Sequence, residues 1–195
     1  MLQDEYYVIE RENDDNYPPF SWDQSSGRFG LGKPVKTEDP VKLMLAEPIS
    51  PNFEWVDFHP LPSPVLSSRI VDVLAPLDIY GIQLVPAIVR NPNDSSDGPY
   101  EYWFMHIWNH IQCVDTDKSD IELFDTGEIF AIDELVLDEK VLEPIELKKR
   151  QIFALAEKRS VMLVHQTVKD IIASVRPKGC RFFKASEWNS DSSFT

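Results

Sequence analysis

The chain is poor in cysteine, in basic residues and in long apolar runs. Its 195 residues include only two cysteines, Cys113 and Cys180, too few for a disulfide framework and typical of a reducing compartment. No apolar run approaches the roughly 18–20 residues that a membrane-spanning helix needs, and the acidic N-terminus lacks the basic and apolar regions of a signal peptide. We therefore expect a soluble, cytoplasmic protein with no membrane partner.

Basic residues are scarce and unevenly placed. The chain has 19 Lys and Arg against 33 Asp and Glu, a net charge of −14. Residues 91–146 alone carry 15 acids and 2 bases, whereas residues 147–195 carry 4 acids and 10 bases. Such a field repels nucleic acid and attracts basic proteins. We expect the chain to bind a basic protein and not to bind nucleic acid. The alternative is that the negative charge serves only to keep the protein soluble.

Proline divides the chain into three parts. Residues 1–54 contain frequent prolines among aromatic residues ("NYPPFSW", "AEPISP"), which indicates a proline-rich N-terminal arm with short edge strands, packed on the body. Residues 55–185 carry the periodic apolar segments of a folded domain, and residues 186–195 have the composition of a flexible tail. These boundaries define an arm, a body and a tail.

Two segments echo one another at an offset of 98 residues. "VLSSRIVDVLAP" starts at Val65, "LVHQTVKDIIAS" starts at Leu163, and Gly81 and Gly179 follow at the same offset. Each segment predicts an amphipathic helix, a glycine-bearing connection and a strand, with the first helix capped by Ser63 and starting at Pro64. The fold class is therefore α+β, with a mainly antiparallel or mixed sheet and two principal helices. An ancient duplication and a recurrent structural unit both explain the echo.

No motif predicts a cofactor or a catalytic centre. "GRFGLGKP" resembles a phosphate-binding loop but has Pro34 in place of the hydroxyl residue, and neither a buried strand nor a helix flanks it. "DTDKSDIELFDT" starts like a calcium loop but lacks the central glycine and the final glutamate. A nucleophile elbow, G-x-S-x-G, is absent from the sequence. We expect a protein that is not an enzyme and that binds no cofactor.

His106 and His110 leave one enzymatic alternative open. They have the i, i+4 spacing of a helical zinc pair, although the surrounding "YEYWFMHIWNHIQCVD" has the aromatic and β-branched content of a strand. On a strand the two side chains would lie about 13 Å apart, too far to bind one ion. A metal-dependent hydrolase that uses these histidines and nearby aspartates is the alternative.

Carboxylates follow this aromatic strand closely. Aromatic anchors beside a rim of charge are typical of protein interfaces. The predicted partner-binding residues are Tyr102, Trp103, Trp108, Asp115, Asp117, Asp120, Glu122 and Asp125. The alternative is an acidic loop beside an ordinary core strand.

The order of these segments resembles a bacterial family, the type-eleven immunity proteins of polymorphic toxin systems. The likeness covers about residues 55–185 and rests on "WVDFHPLPSP", "LSSRIVDVL", "IQLVPAIV", the tyrosine-rich strand and "LVHQTVKDIIASVRPKGCRFF". The resemblance implies a non-catalytic protein that binds a cognate secreted antibacterial toxin and neutralises it by occlusion. An adaptor or chaperone that loads an effector onto its secretion machinery is a further alternative, and exposed sheet edges also allow a homodimer.

Overall fold

A computed structural model describes all residues, 1–195, as a mixed α+β protein. The α-helices are α1 (Ser68–Leu74), α2 (Glu139–Leu142) and α3 (Gln166–Ser174). The strands are β1 (Tyr6–Arg11), β2 (Phe20–Trp22), β3 (Val41–Leu45), β4 (Phe58–His59), β5 (Val65–Leu66), β6 (Ile82–Arg90), β7 (Tyr100–Ile107), β8 (His110–Ile111), β9 (Asp120–Leu123), β10 (Ile129–Glu134), β11 (Ile152–Leu155), β12 (Met162–His165) and β13 (Cys180–Lys184). The predicted fold class is confirmed, and α2 is a single turn beside the two principal helices.

The strands form two large sheets and one separate hairpin. The first sheet has the order β13-β1-β12-β11-β8, and the second has the order β2-β3-β6-β7-β5-β4. Neighbours are antiparallel except for the pairs β11/β8 and β3/β6. Strands β9 and β10 pair only with each other. None of the helices is long and apolar enough to cross a membrane.

The two principal helices pack against each other in a core that both sheets share. Ile70 and Leu74 of α1 and Val168 and Ile172 of α3 are buried there, together with residues of both sheets. Burying an aliphatic side chain of this size stabilises the fold by roughly 1.5–3 kcal/mol. The helices therefore join the two sheets into one structure.

The first helix starts later than the sequence indicates. The predicted N-cap Ser63 and first helical residue Pro64 are wrong, because Val65 and Leu66 form strand β5 and pair with β7. Ser67 is the N-cap, and α1 begins at Ser68. A helical apolar spacing does not reveal this, because Val65 and Leu66 pair with Phe104 and Trp103 of β7, which lie far along the chain.

The echo in the sequence is an echo in the structure. The helices α1 and α3 begin 98 residues apart, and so do the strands β6 and β13 that follow them. In the first unit β7 lies between β5 and β6, and in the second unit β1 lies between β12 and β13. Each unit is thus a strand–helix–strand segment whose two strands flank an antiparallel strand from elsewhere in the chain.

The connections repeat even in their unusual backbone. Asp78 and Arg176, which are 98 residues apart, are the only non-glycine residues with positive φ, at 45° and 48°. Gly81 and Gly179 follow with φ of 85° and 92°. At Gly179 an added Cβ would lie 2.6 Å from Val56 Cγ2, so both the conformation and the packing require glycine.

The N-terminal segment contributes strands to both sheets. Strand β2 lies at a sheet edge, as expected for the arm, whereas β1 lies inside the first sheet between β12 and β13. Its Tyr6 and Val8 are buried, so this strand supplies part of the core. At the other end of the chain, Trp188 is buried and its indole N–H donates to Glu10. The division into arm, body and tail stays a prediction.

Candidate protein-binding site

The most acidic part of the chain forms a hairpin at the edge of the molecule. We define the acidic hairpin as residues 115–134, which contain strands β9 and β10 and the turns before and between them. It carries eight carboxylates and one lysine, a formal charge of −7. Half of the net charge of the chain therefore lies in 20 residues.

One side of the acidic hairpin is fixed to the body of the protein. Ile132 is completely buried, and Ile121 and Ile129 pack against the same core. The backbone of Ile132 also exchanges hydrogen bonds with Ser190, whose hydroxyl accepts from the Ile132 N–H at 2.8 Å and whose N–H donates to the Ile132 carbonyl at 2.8 Å. The hairpin is thus held in one position, which lowers the entropic cost of presenting its outer side to a partner.

The turn of the acidic hairpin follows from its sequence. Asp125 and Thr126 occupy the tip, and Gly127 takes a φ of 85°, which glycine adopts without strain. The N–H of Gly127 donates to the Phe124 carbonyl, and the N–H of Phe124 donates to the Glu128 carbonyl. This closed turn places Phe124 at the end of the hairpin.

Three large apolar side chains are exposed on the hairpin. Leu123, Phe124 and Phe130 are 56%, 51% and 53% exposed. The rings of Phe124 and Phe130 meet edge to face at 4.9 Å, and the strand pairing shifts register at Phe130. Clustered exposed aromatic side chains within a charged rim mark a protein-binding surface.

Four of the five predicted acidic residues are free on this surface. Asp117, Asp120, Glu122 and Asp125 are exposed, and their carboxylates form neither ion pairs nor hydrogen bonds. Asp115 is half-buried and pairs with Lys118 at 2.6 Å. The hydrogen bond from Lys118 lowers the pKa of Asp115. The structure therefore brings these carboxylates together on one hairpin, with Asp115 at its base.

The predicted aromatic residues lie elsewhere, on or after strand β7. Tyr102 is buried, and its hydroxyl donates to the Val56 carbonyl at 2.9 Å. Burial raises the pKa of Tyr102. It is therefore not available to a partner, because β7 is covered on both faces. Trp103 packs partly buried against the shared core.

Trp108 lies after the end of strand β7. It is half-buried, and its ring contacts that of Tyr80 edge to face at 4.9 Å. Tyr80 is 41% exposed. The exposed pair Phe124 and Phe130 was not among the predicted residues, although "IELFDTGEIF" contains the signal: two apolar runs around a D-T-G turn.

The two histidines of the enzymatic alternative lie in different sheets. His106 on β7 is buried, and its Nε2 lies 2.8 Å from the Lys33 carbonyl oxygen. His110 on β8 is half-buried, and burial together with the nearby charges of Arg159 and His106 lowers its pKa. Nowhere in the chain do three His, Cys, Asp or Glu side chains group as a metal site requires.

These features define a small α+β protein with an acidic hairpin that exposes two aromatic rings. The model of the Immunity protein family (Imm11) matches residues 2–187, so the chain belongs to this family. The chain accordingly has an immunity role toward a toxin. A search of the curated proteins finds no match.

Proposed function

We propose that the chain binds one cognate secreted antibacterial toxin in a one-to-one complex and neutralises it by occlusion in the cytoplasm of the producing cell. The observation that carries the proposal is the acidic hairpin, with a formal charge of −7 beside three exposed apolar side chains. Neutralisation of this kind needs a contact surface and no catalytic group. The family membership supports an immunity role of this kind.

The charge of the hairpin supports a basic toxin as the partner. Complementary charge steers two proteins together and raises the association rate above about 10⁶ M⁻¹s⁻¹ at low salt. Four of the hairpin's carboxylates are exposed and form no ion pair: Asp117, Asp120, Glu122 and Asp125. No neighbouring positive charge therefore cancels the electrostatic field that they extend into the solvent. We assign to these carboxylates the steering of the encounter.

The apolar side chains would hold the complex once it has formed. Phe124 and Phe130 expose about half of their surface and already support each other edge to face. Aromatic residues of this kind dominate the energetics of protein interfaces. Trp108 is half-buried and packs on the exposed Tyr80, so we assign to it, as to Trp103, only a contribution through the exposed part of its side chain.

The first experiment is to co-express the tagged chain with the protein encoded beside it and to follow growth. We expect a tight complex and rescued growth. A complex without rescue contradicts neutralisation and points to an effector-loading adaptor. Light scattering on the free chain tests the homodimer, which requires twice the mass of 22.5 kDa.

Charge reversal locates the contact surface. Asp117→Lys, Asp120→Lys and Asp125→Lys together should lower the association rate at least about tenfold and flatten its salt dependence. The matched control reverses three exposed, unpaired carboxylates elsewhere: Glu38→Lys, Asp39→Lys and Asp72→Lys. Equal losses in both triple variants would show that only the net charge matters, and the hairpin would lose its assigned role.

Shortened aromatic side chains test the anchors separately. Phe124→Ala and Phe130→Ala should each cost about 2 kcal/mol of binding free energy, seen as a faster dissociation rate with an unchanged association rate. Both side chains are half exposed, so the folded structure tolerates their loss. An unchanged dissociation rate in both variants contradicts the assignment of the anchors.

A further inference from the structure

A large cleft opens where the two sheets meet, and it borders the acidic hairpin, because Phe130 of β10 is among the residues that line it. Its volume is about 990 Å³, and strands β1, β4, β7, β8 and β12 contribute to its lining. Pockets for small molecules have volumes of about 300–1,000 Å³ and occur preferentially between structural units. The cleft is thus at the upper end of that range, and the proposed toxin contact does not account for its volume or for the basic side chains that line it.

Aromatic rings form one wall of the cleft. Trp22 and Phe29 stack at 5.4 Å, and Phe29 contacts Phe104 at 4.9 Å. Phe29 is only partly buried, so part of its surface is open to the cleft. Such a wall suits the flat face of an aromatic ligand.

Three basic side chains line the same cleft, and none has a carboxylate partner. Arg11 donates only to backbone carbonyls, Lys158 donates only to the Phe130 carbonyl at 2.6 Å, and Arg159 is exposed without a hydrogen bond. The eight ion pairs of the protein use other residues. In a chain with 33 acids and 19 bases, three unpaired cations around one cavity form a local positive field.

Two carboxylates also line the cleft, but they oppose this field only weakly. Glu10 accepts the indole N–H of Trp188 at 2.9 Å, and burial raises its pKa. Asp15 is exposed, where solvent screens its charge.

We propose that this cleft is a binding site for an aromatic anion: a small molecule with a flat apolar ring system and a phosphate, sulfonate or carboxylate group. The ring lies against the wall that Phe29 and Trp22 form, and the anionic group is held by Arg159 and Lys158. Arginine suits this role because its planar fork binds such oxygen pairs with two parallel hydrogen bonds. The site goes beyond the proposed toxin binding: it shares Phe130 with that contact surface, but Arg159 and the wall of Phe29 and Trp22 lie outside the hairpin.

The test uses 8-anilinonaphthalene-1-sulfonate, an aromatic anion whose fluorescence rises when it leaves water. Titration of the full chain, followed by fluorescence and calorimetry, should give saturable binding of one dye per chain. Arg159→Gln should weaken this binding at least about fivefold, since the paired charge-assisted hydrogen bonds of the guanidinium are lost in a half-open site. The variant leaves the fold intact because the side chain has no bonding partner.

Two controls separate a site from general stickiness. Lys148→Gln removes one exposed, unpaired positive charge outside the cleft and should leave dye binding unchanged. The neutral analogue N-phenyl-1-naphthylamine should bind more weakly than the dye and should not respond to Arg159→Gln. Non-saturable binding, a stoichiometry well above one, or equal losses in both charge variants would overturn the proposal, whatever the toxin experiment gives.

Discussion

Replacing Asp57 with alanine should loosen the connection between the two strand–helix–strand units. Asp57 is buried, and its carboxylate accepts three hydrogen bonds: from Ser67 Oγ at 2.7 Å, from Arg69 Nη1 at 2.8 Å and from the Lys178 N–H at 2.8 Å. Ser67 caps the helix of the first unit, and Lys178 lies in the connection of the second. One carboxylate therefore ties both units together.

The expected loss follows from these three bonds. The ion pair with Arg69 contributes at most about 0.5 kcal/mol, because that side chain is 58% exposed and solvent screens it. The bonds from Ser67 and Lys178 contribute about 1–1.5 kcal/mol each, since their loss leaves donors near the interior without an acceptor. We expect Asp57→Ala to lower the free energy of unfolding by about 3 kcal/mol. For a chain of this length, this lowers Tm by about 6–12 °C.

Urea unfolding followed by circular dichroism measures this loss directly. The matched control is Asp72→Ala, which removes an exposed and unpaired carboxylate from α1 and should change stability by less than about 0.5 kcal/mol. Asp57→Asn keeps one acceptor oxygen and should lose about half as much as the alanine variant. If Asp57→Ala unfolds within about 1 kcal/mol of the control, the carboxylate does not tie the units together.

Three further predictions concern the backbone, a histidine and the thiols. Gly179→Ala should lower the free energy of unfolding, measured in urea, by about 3 kcal/mol. The alanine would have to adopt a φ of 92°, and its Cβ would overlap the side chain of Val56. Burial lowers the pKa of His59 to about 4, so between pH 6.5 and 4 the unfolded chain binds the extra proton. Stability should then fall with falling pH by up to about 1.4 kcal/mol per pH unit, and His59→Gln should reduce this slope. Burial raises the pKa of Cys180 to about 12 and raises that of Cys113 as well, so a disulfide reagent should label neither thiol before unfolding.

Each of these predictions has its own control. Gly127 also has a positive φ, of 85°, but nothing lies within 4 Å of an added Cβ. Gly127→Ala should therefore lower the free energy of unfolding only by the cost of backbone strain, which is less than the loss at Gly179. Equal losses at both glycines contradict the packing argument. An unchanged pH slope in the His59 variant would mean that other groups account for the acid sensitivity. Rapid labelling of the native thiols at neutral pH would contradict their burial.

The segments that sequence patterns predicted well are those whose structure is local. Helix α3 follows from the apolar spacing of Val168, Ile171 and Ile172, and its end before Pro177 follows from backbone chemistry. The start of α1 was predicted wrongly because Val65 and Leu66 pair with a distant strand. Local propensity contains no information about such a partner.

The candidate site was predicted in part for a similar reason. The acidic residues could be placed on one surface from the sequence, since charges rarely lie inside a fold without partners. The aromatic residues could not, because β7 has a core on each face, and its aromatic residues alternate between the two cores without a polar face to mark an exposed side. Tyr102 and the exposed Phe130 look alike in the sequence, and only the tertiary packing separates them.

The position of β1 has a consequence for synthesis on the ribosome. This strand is made first, at residues 6–11, yet its two neighbours β12 and β13 span residues 162–184. At an elongation rate of about 5–20 residues per second, β1 stays without its partner strands for about 8–30 s. Strands β2 to β7, by contrast, contain every strand of the second sheet and are all synthesised by residue 107. The growing chain therefore carries an unpaired strand at its N-terminus, and β1 gains both of its partners only when β12 and β13, near the C-terminus, have been synthesised.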